Sequence, residues 1–291
     1  MVIEGIVLGV GVLVGGATYL AARRWPLGAE APVVRAETVE DEVQRHPGIA
    51  GFLRHHLSPS GATGVALAVA VTVIVAGVVG MGLLFAMFRT NSGLAQWDEA
   101  FARFGAEQSS EAATDFLRAV SLLGGTTGVL LLAAVVAVVE YGRIRTWAVF
   151  GFLALAVLGQ FLASNAIKLI VGRARPDLLP LTGFSGDSFP SGHSTAAAAT
   201  FMAIALVVGR RRSPTTKAVL AGVAGGVAGA VAASRVLLGV HWFTDVLAGL
   251  LLGWLWFAAC SIAFGGRLLH FGAPVEVADA EVERQEAEAL P

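Results

Sequence analysis

The chain has 291 residues, 56% of them hydrophobic and only 14% charged, against roughly 25% charged in ordinary soluble domains. That composition excludes a typical soluble protein. A net charge of −1 excludes a nucleic-acid-binding protein, since no basic domain is present to neutralise a run of phosphates. The single cysteine, Cys260, excludes an intrachain disulfide framework.

A bilayer-spanning helix needs about 20 mostly apolar residues. Runs of that kind predict spans at 2–20, 62–88, 125–139, 147–167, 194–208, 218–233 and 246–264, the third, fifth and sixth being short for the purpose. The predicted fold class is therefore all-α, a polytopic transmembrane helical bundle. The first span lacks a basic segment ahead of it and runs into Arg23 and Arg24, which favours a retained span over a cleaved signal peptide.

Residues 23–61 read as a cytoplasmic connector. Val39, Val43, Phe52, Leu53 and Leu57 recur at helix-like intervals, which suits either short helices on the membrane surface or a solvated link. His55 and His56 are adjacent, a spacing that does not aim two rings at one metal ion on a helix, and no Cys/His zinc spacing occurs. Between the second and third spans, Leu94, Trp97, Phe101 and Phe104, then Phe116, Leu117, Val120 and Leu123, form apolar faces. Asp98, Glu99, Glu107, Glu111 and Asp115 lie opposite them. This predicts an amphipathic helix or pair at the outer interface, either packing between spans or roofing a site. Residues 267–291 form an acidic tail low in aromatics, expected to lack order.

Basic residues cluster after the first span (Arg23, Arg24), between the third and fourth (Arg143, Arg145), between the fifth and sixth (Arg210, Arg211, Arg212, Lys217) and after the seventh (Arg267). Alternating seven spans puts all four clusters in the cytoplasm, as the positive-inside rule requires. The N-terminus is then outside and the tail inside. Segments 168–193 and 234–245 fall outside too, although the first carries Arg173 and Arg175, cations that break the charge rule and are either functional or strays that a short loop tolerates. Trp25, Trp147 and Trp242 sit at span ends as interfacial anchors, Trp242 alone having a competing claim because it lies within the polar segment 234–245.

Three polar islands lie at these outer span ends. Lys168 is followed seven residues on by Arg175, a point charge and a planar fork suited to phosphoryl oxygens. Lys168 also has an ordinary role open to it, reaching the headgroups as cations near span ends do. Next, Pro190-Ser191-Gly192-His193 opens the fifth span. Ser191 is a good N-cap, Gly192 lets backbone approach an anion, and a helix N-terminus attracts phosphate. His193 in the first turn is placed to protonate a leaving alkoxide. Third come Arg235, His241 and Asp245. If the last helix begins near His241, a four-residue spacing puts imidazole and carboxylate on one face. The carboxylate then fixes the tautomer and leaves Nε2 as nucleophile or base. Taken singly, such a pair is usually a structural hydrogen bond. Three islands on one membrane face point to phosphate-ester hydrolysis.

These residues carry a resemblance. Lys168-Leu-Ile-Val-Gly-Arg173-Ala-Arg175-Pro176, Pro190-Ser-Gly-His193 and Ser234-Arg235-Val-Leu-Leu-Gly-Val-His241-Trp-Phe-Thr-Asp245 resemble the three-part signature of the type 2 phosphatidic acid phosphatase superfamily, over roughly residues 62–264. One departure is Ala174, where some lipid phosphatases have proline.

The resemblance implies a six-span phosphatase core at 62–266, with the span at 1–22 an addition. It implies that Lys168, Arg175 and Arg235 bind phosphate, helped by Ser191 and the Gly192 amide. His241 would form a phosphohistidine, Asp245 would orient it and His193 would act as acid. No cofactor and no metal are implied. The expected function is a metal-independent phosphoric monoester hydrolase of an integral cell membrane, its active site on the extracytoplasmic face. Its partners would be membrane lipids and a lipid phosphate or pyrophosphate of the phosphatidic acid, phosphatidylglycerophosphate or polyprenyl pyrophosphate class. Oligomeric state is left open. Two rivals are a catalytically silent lipid-phosphate binding or transport protein and a vanadate-dependent haloperoxidase. Intact His241, His193 and Asp245 weigh against the first. Only Glu140 and Gln160 stand near the mid-span positions that a transporter would make ionisable. The apolar spans weigh against the second.

Overall fold

The computed structural model describes residues 1–24, 59–178, 180–210 and 212–269, with side chains over 1–24, 75–178, 180–210 and 212–264. Trp25, His55, His56, Arg211, nearly all of the connector (25–58) and the tail from 270 onward lie outside the described residues.

Nine helices run through the described residues: α1 (Val2–Arg24), α2 (Pro59–Thr90), α3 (Asp98–Gln108), α4 (Glu111–Leu122), α5 (Thr126–Ile144), α6 (Ala148–Val171), α7 (Gly192–Gly209), α8 (Pro214–Leu237) and α9 (Phe243–Leu269). Helices α1, α5, α6, α7, α8 and α9 are long and apolar enough to cross a membrane, and the predicted second span lies within the 32-residue α2. The three spans read as short are longer than predicted because their ends are polar. Helix α8, for example, starts at Pro214 behind a Ser213 cap and runs through Ser234 and Arg235, all of which the apolar run leaves out.

Helix α1 carries Glu4 in its first turn and two arginines in its last, charges that complement the helix dipole at both ends. It packs antiparallel on α8 through glycines. A Cβ on Gly15 would stand 2.8 Å from the Gly222 carbonyl oxygen, so only small residues permit this approach. Its N-terminal Ile3 and Val7 join Leu117 of α4 and Leu237 and Leu238 at the end of α8. The same economy brings α9 onto α7, where a Cβ on Gly249 would lie 2.6 Å from the Ser191 carbonyl oxygen. That crossing seats the start of α7 against Asp245, whose carbonyl accepts the Ser191 N–H at 3.0 Å.

Helix α6 contains one π-helical turn at Leu155–Gly159. Gly159 makes room for the Trp256 ring, and the Trp256 indole donates to the Leu155 carbonyl at 3.0 Å. A π turn re-aims the residues that follow it, here Gln160, Ser164 and Lys168, spaced four apart on one face.

The predicted outer pair is present as α3 and α4, with Ser110 capping α4. Its expected polar face differs at Asp98, which is 4% exposed. Glu140 also differs from its reading as a mid-span group. It lies one residue-turn from the end of α5 and pairs with Arg143 at 2.5 Å. Helix directions put Arg23, Arg24, Arg143, Arg145, Arg210 and Lys217 at one end of the bundle, and Lys168, Gly192, Arg235 and Asp245 at the other.

Candidate active site

Lys168 stands in the last turn of α6, where Gly172 in a left-handed conformation (φ 58°) closes the helix. The chain then doubles over the bundle end and delivers Arg173 and Arg175. The Arg175 guanidinium donates to the carbonyls of Gly186 (2.8 Å), Val240 (2.7 Å) and Ser185 (3.0 Å), which fix its plane. Lys168 Nζ donates to the Asp187 carbonyl. Arg235, in the last turn of α8, gives one Nη1–H to Ser121 Oγ at 2.7 Å, while its Nε is buried with no hydrogen-bond partner. A buried, charged donor left unpaired is costly unless an anion completes it.

Lys168, Arg175, Arg235, Gly192, His193 and His241 all line one cavity of about 720 Å³, and none of its lining residues is acidic. Ser191 and Asp245 do not line it. Ser191 Oγ accepts from the Ser194 amide and hydroxyl, so it caps α7 and fixes the helix N-terminus from behind. Away from the cations the cavity wall is largely apolar, formed by Val129 and Leu130 of α5 with Val157, Leu158 and Phe161 of α6, and interrupted by Thr126, Gln160, Ser164 and Asn165. Leu130, Leu158 and Phe161 are exposed on the outside of the bundle, so the cavity runs toward its apolar flank. A second hollow, of about 490 Å³, reaches His193 and Arg235 from the side of Arg118, Ser121 and Thr182.

His241 and Asp245 meet, but differently from the predicted shared helix face. Helix α9 starts at Phe243, leaving His241 ahead of it in a turn allowed by Gly239 (φ 68°). Asp245 reaches back to accept the Trp242 N–H at 2.9 Å, half of a capping box. His241 Nδ1 lies 3.5 Å from Asp245 Oδ2 and 3.4 Å from Ser188 Oγ, and Ser188 Oγ itself donates to Asp245. On the ring's other side, Arg175 Nη1 is 3.0 Å from Nε2. Guanidinium only donates, so Nε2 is the unprotonated nitrogen and Nδ1 carries the hydrogen. Burial lowers the His241 pKa to about 4, against the upward pull of Asp245. The imidazole is therefore neutral at physiological pH, its Nε2 lone pair accepting from Arg175 Nη1 beside the cavity. Burial also lowers the Arg175 pKa.

Behind this pair is a network that the sequence reading missed. Arg173 Nη1 bonds Asp245 Oδ1 at 2.6 Å and Thr244 Oγ1 at 2.8 Å, while Nη2 bonds Asp98 Oδ2 at 2.7 Å. Asp98 also accepts from the Thr244 amide and hydroxyl at 2.8 and 2.7 Å. Phe88 lies under the Arg173 guanidinium at 4.2 Å from its centroid, and Trp242 packs at 5.5 Å. Trp242 thus braces Arg173 without lining the cavity, its indole donating to the Ala174 carbonyl at 2.9 Å. The available signal was Arg173 itself, an arginine on the wrong side for the charge rule. Among the described residues, no group of three or more His, Cys, Asp or Glu side chains is placed to hold a metal ion.

The PAP2 superfamily profile matches residues 146–268, which contain all three islands. Phosphatidylglycerophosphatase B of Bacillus subtilis is 33% identical over 178 residues, 60% of this chain and 86% of that protein. The chain belongs to the PAP2 superfamily. A second superfamily relative, the lipid A 1-phosphatase of Rhizobium etli, is 38% identical over 117 residues, 37% of this chain and 46% of that protein. The crystal structure of a transmembrane PAP2-type phosphatidylglycerolphosphate phosphatase from Bacillus subtilis superimposes with a TM-score of 0.63 at 29% identity. The match covers 67% of this chain and 96% of that one. The PAP2 superfamily fold and the transmembrane helical architecture therefore agree.

Proposed function

We propose that this chain cleaves the phosphoester or pyrophosphate bond of a lipid phosphate through a phosphohistidine on His241, on the extracytoplasmic membrane face. The coarser class, a membrane lipid phosphatase and phosphoric monoester hydrolase, is what its superfamily and phosphatase relatives establish. The observation that carries the finer reading is the cavity itself, where three cations, the N-terminus of α7 and two imidazoles converge with no carboxylate in the lining.

In this reading Lys168, Arg175 and Arg235 hold the phosphoryl oxygens, Arg235 Nε gaining a partner, and the Gly192 amide adds the positive end of the helix dipole. Ser191 keeps that helix start in place. His241 Nε2, freed as the Arg175 guanidinium turns from it to the phosphoryl oxygens, attacks phosphorus as the bond to the lipid oxygen breaks, and His193 gives that oxygen a proton. Asp245 stabilises the charge that develops on the ring. Water, activated by His193 in its now neutral form, then cleaves the P–N bond and releases inorganic phosphate. The apolar wall of α5 and α6 suits the hydrocarbon of a lipid substrate. Phosphatidic acid, phosphatidylglycerophosphate and polyprenyl pyrophosphate all share the chemistry required.

Purified protein in detergent is expected to release phosphate from at least one of these lipids. Orthovanadate should inhibit it, and EDTA should not, since side chains supply every cation. Activity lost in EDTA and restored by magnesium would contradict this reading. Sidedness rests on the arginine clusters gathered at the end opposite the cavity. A membrane-impermeant thiol reagent applied to intact cells should label Ser185→Cys and not Ser213→Cys. Cys260 is buried and stays silent. The reverse labelling pattern would put the site in the cytoplasm.

A further inference from the structure

The geometry points to a second polar subsite directly beneath the phosphate cradle, in which the Ser164 hydroxyl reads an ester carbonyl of a glycerolipid substrate. This rests on the lipid-phosphatase reading above and names the substrate class within it.

Ser164 is 2% exposed, lines the cavity, and its Oγ is buried without a hydrogen-bond partner. Serines within apolar helices ordinarily bond a carbonyl one turn back, as Ser261 does to Phe257 at 2.8 Å. Ser164 forgoes that bond. Its hydroxyl faces the start of α7, 4.0 Å from where a Cβ on Gly192 would stand. Unpaired buried hydroxyls are uncommon enough to call for a ligand when they open onto a cavity.

Position along α6 identifies that ligand. Ser164 is one helical turn, about 6 Å, deeper into the bundle than Lys168 and on the same face. A lipid whose phosphate sits on Lys168, Arg175 and Arg235, with its chains along Val129, Leu158 and Phe161, passes Ser164 with the atoms just beyond the scissile bond. In a glycerolipid those atoms include the ester carbonyls, which are strong acceptors. In a prenyl monophosphate they are an alkene and its methyl group, which leave the hydroxyl unpaired; in a polyprenyl pyrophosphate they are the oxygens of the second phosphate, so the carbonyl itself is what the test must isolate.

The test compares two phosphatidic acids of equal chain length, one ester-linked and one ether-linked, the second having no carbonyl. One hydrogen bond of this kind is expected to give the wild type about a tenfold preference in kcat/KM for the ester lipid. In Ser164→Ala the ester-to-ether ratio should fall close to one, with unchanged elution in detergent and the same vanadate inhibition. Equal losses on both lipids would place Ser164 on the phosphoryl group and overturn the inference. No change in the ratio would overturn it as well. A wild type inactive on both lipids would instead count against the proposed function, so the two failures are distinguishable.

Discussion

Replacing His241 by alanine is expected to lower phosphate release from every substrate by at least about 10⁴-fold, the scale seen when a nucleophile is removed from a catalytic constellation. On the proposed reading the remaining cations and the helix N-terminus would still bind the phosphate, so KM should change far less than kcat. His193→Ala should behave differently. Its proton is needed when the leaving group is a lipid alkoxide, where general acid catalysis contributes about 10² to 10⁴. It is needed less when the leaving group departs readily. The variant should therefore lose about a hundredfold or more on lipid phosphates and about tenfold or less on p-nitrophenyl phosphate. Steady-state rates on both substrates check this. Equal losses on the two would remove His193 from the role of acid.

Asp245→Asn is expected to cut turnover by about 10³ to 10⁴, as a wrong-tautomer change does in a triad. An asparagine amide can present its N–H toward Nδ1, and the ring hydrogen would then move to Nε2, where the lone pair is needed. The same substitution removes a charge that Arg173 bonds at 2.6 Å. Arg173 keeps its second carboxylate, Asp98, so the guanidinium is not left unpaired. The stability loss should accordingly stay below the 3–5 kcal/mol of a fully orphaned buried charge. Thermal unfolding in detergent separates the two effects: a modest shift in Tm beside a large loss of kcat is the expected pattern. Activity within tenfold of wild type would show that the His241–Asp245 pair is not catalytic.

Much of this was legible because membrane spans and polar islands are local signals. Apolar runs located all seven long helices of the described residues, and Ser191 caps α7 as its place ahead of Gly192 predicts. Span ends were less legible, since α8 continues past the apolar run into the polar Ser234 and Arg235. His241 and Asp245 were paired correctly on a mistaken geometry. A four-residue spacing suggests a helical face, yet the contact arises from the Gly239 turn and the reach of Asp245 over the helix start. The support behind them was legible only in Arg173, an arginine on the wrong side for the charge rule. Arg173 meets Asp98 and Asp245 across 75 and 72 positions of chain, and Asp98 in sequence looks like any acid on the wet side of an amphipathic helix. Ser164 gave no signal either, because a serine among apolar residues normally satisfies itself on its own backbone.

The central claim is that phosphate passes through His241, and trapping the phosphoenzyme tests it most directly. Radiolabelled lipid phosphate would be mixed with the protein, quenched in alkaline denaturant and digested for peptide mapping. The account predicts acid-labile, alkali-stable label on the peptide carrying His241 and none in His241→Ala. Label that persists in His241→Ala, or that resides on a serine or aspartate, would contradict it.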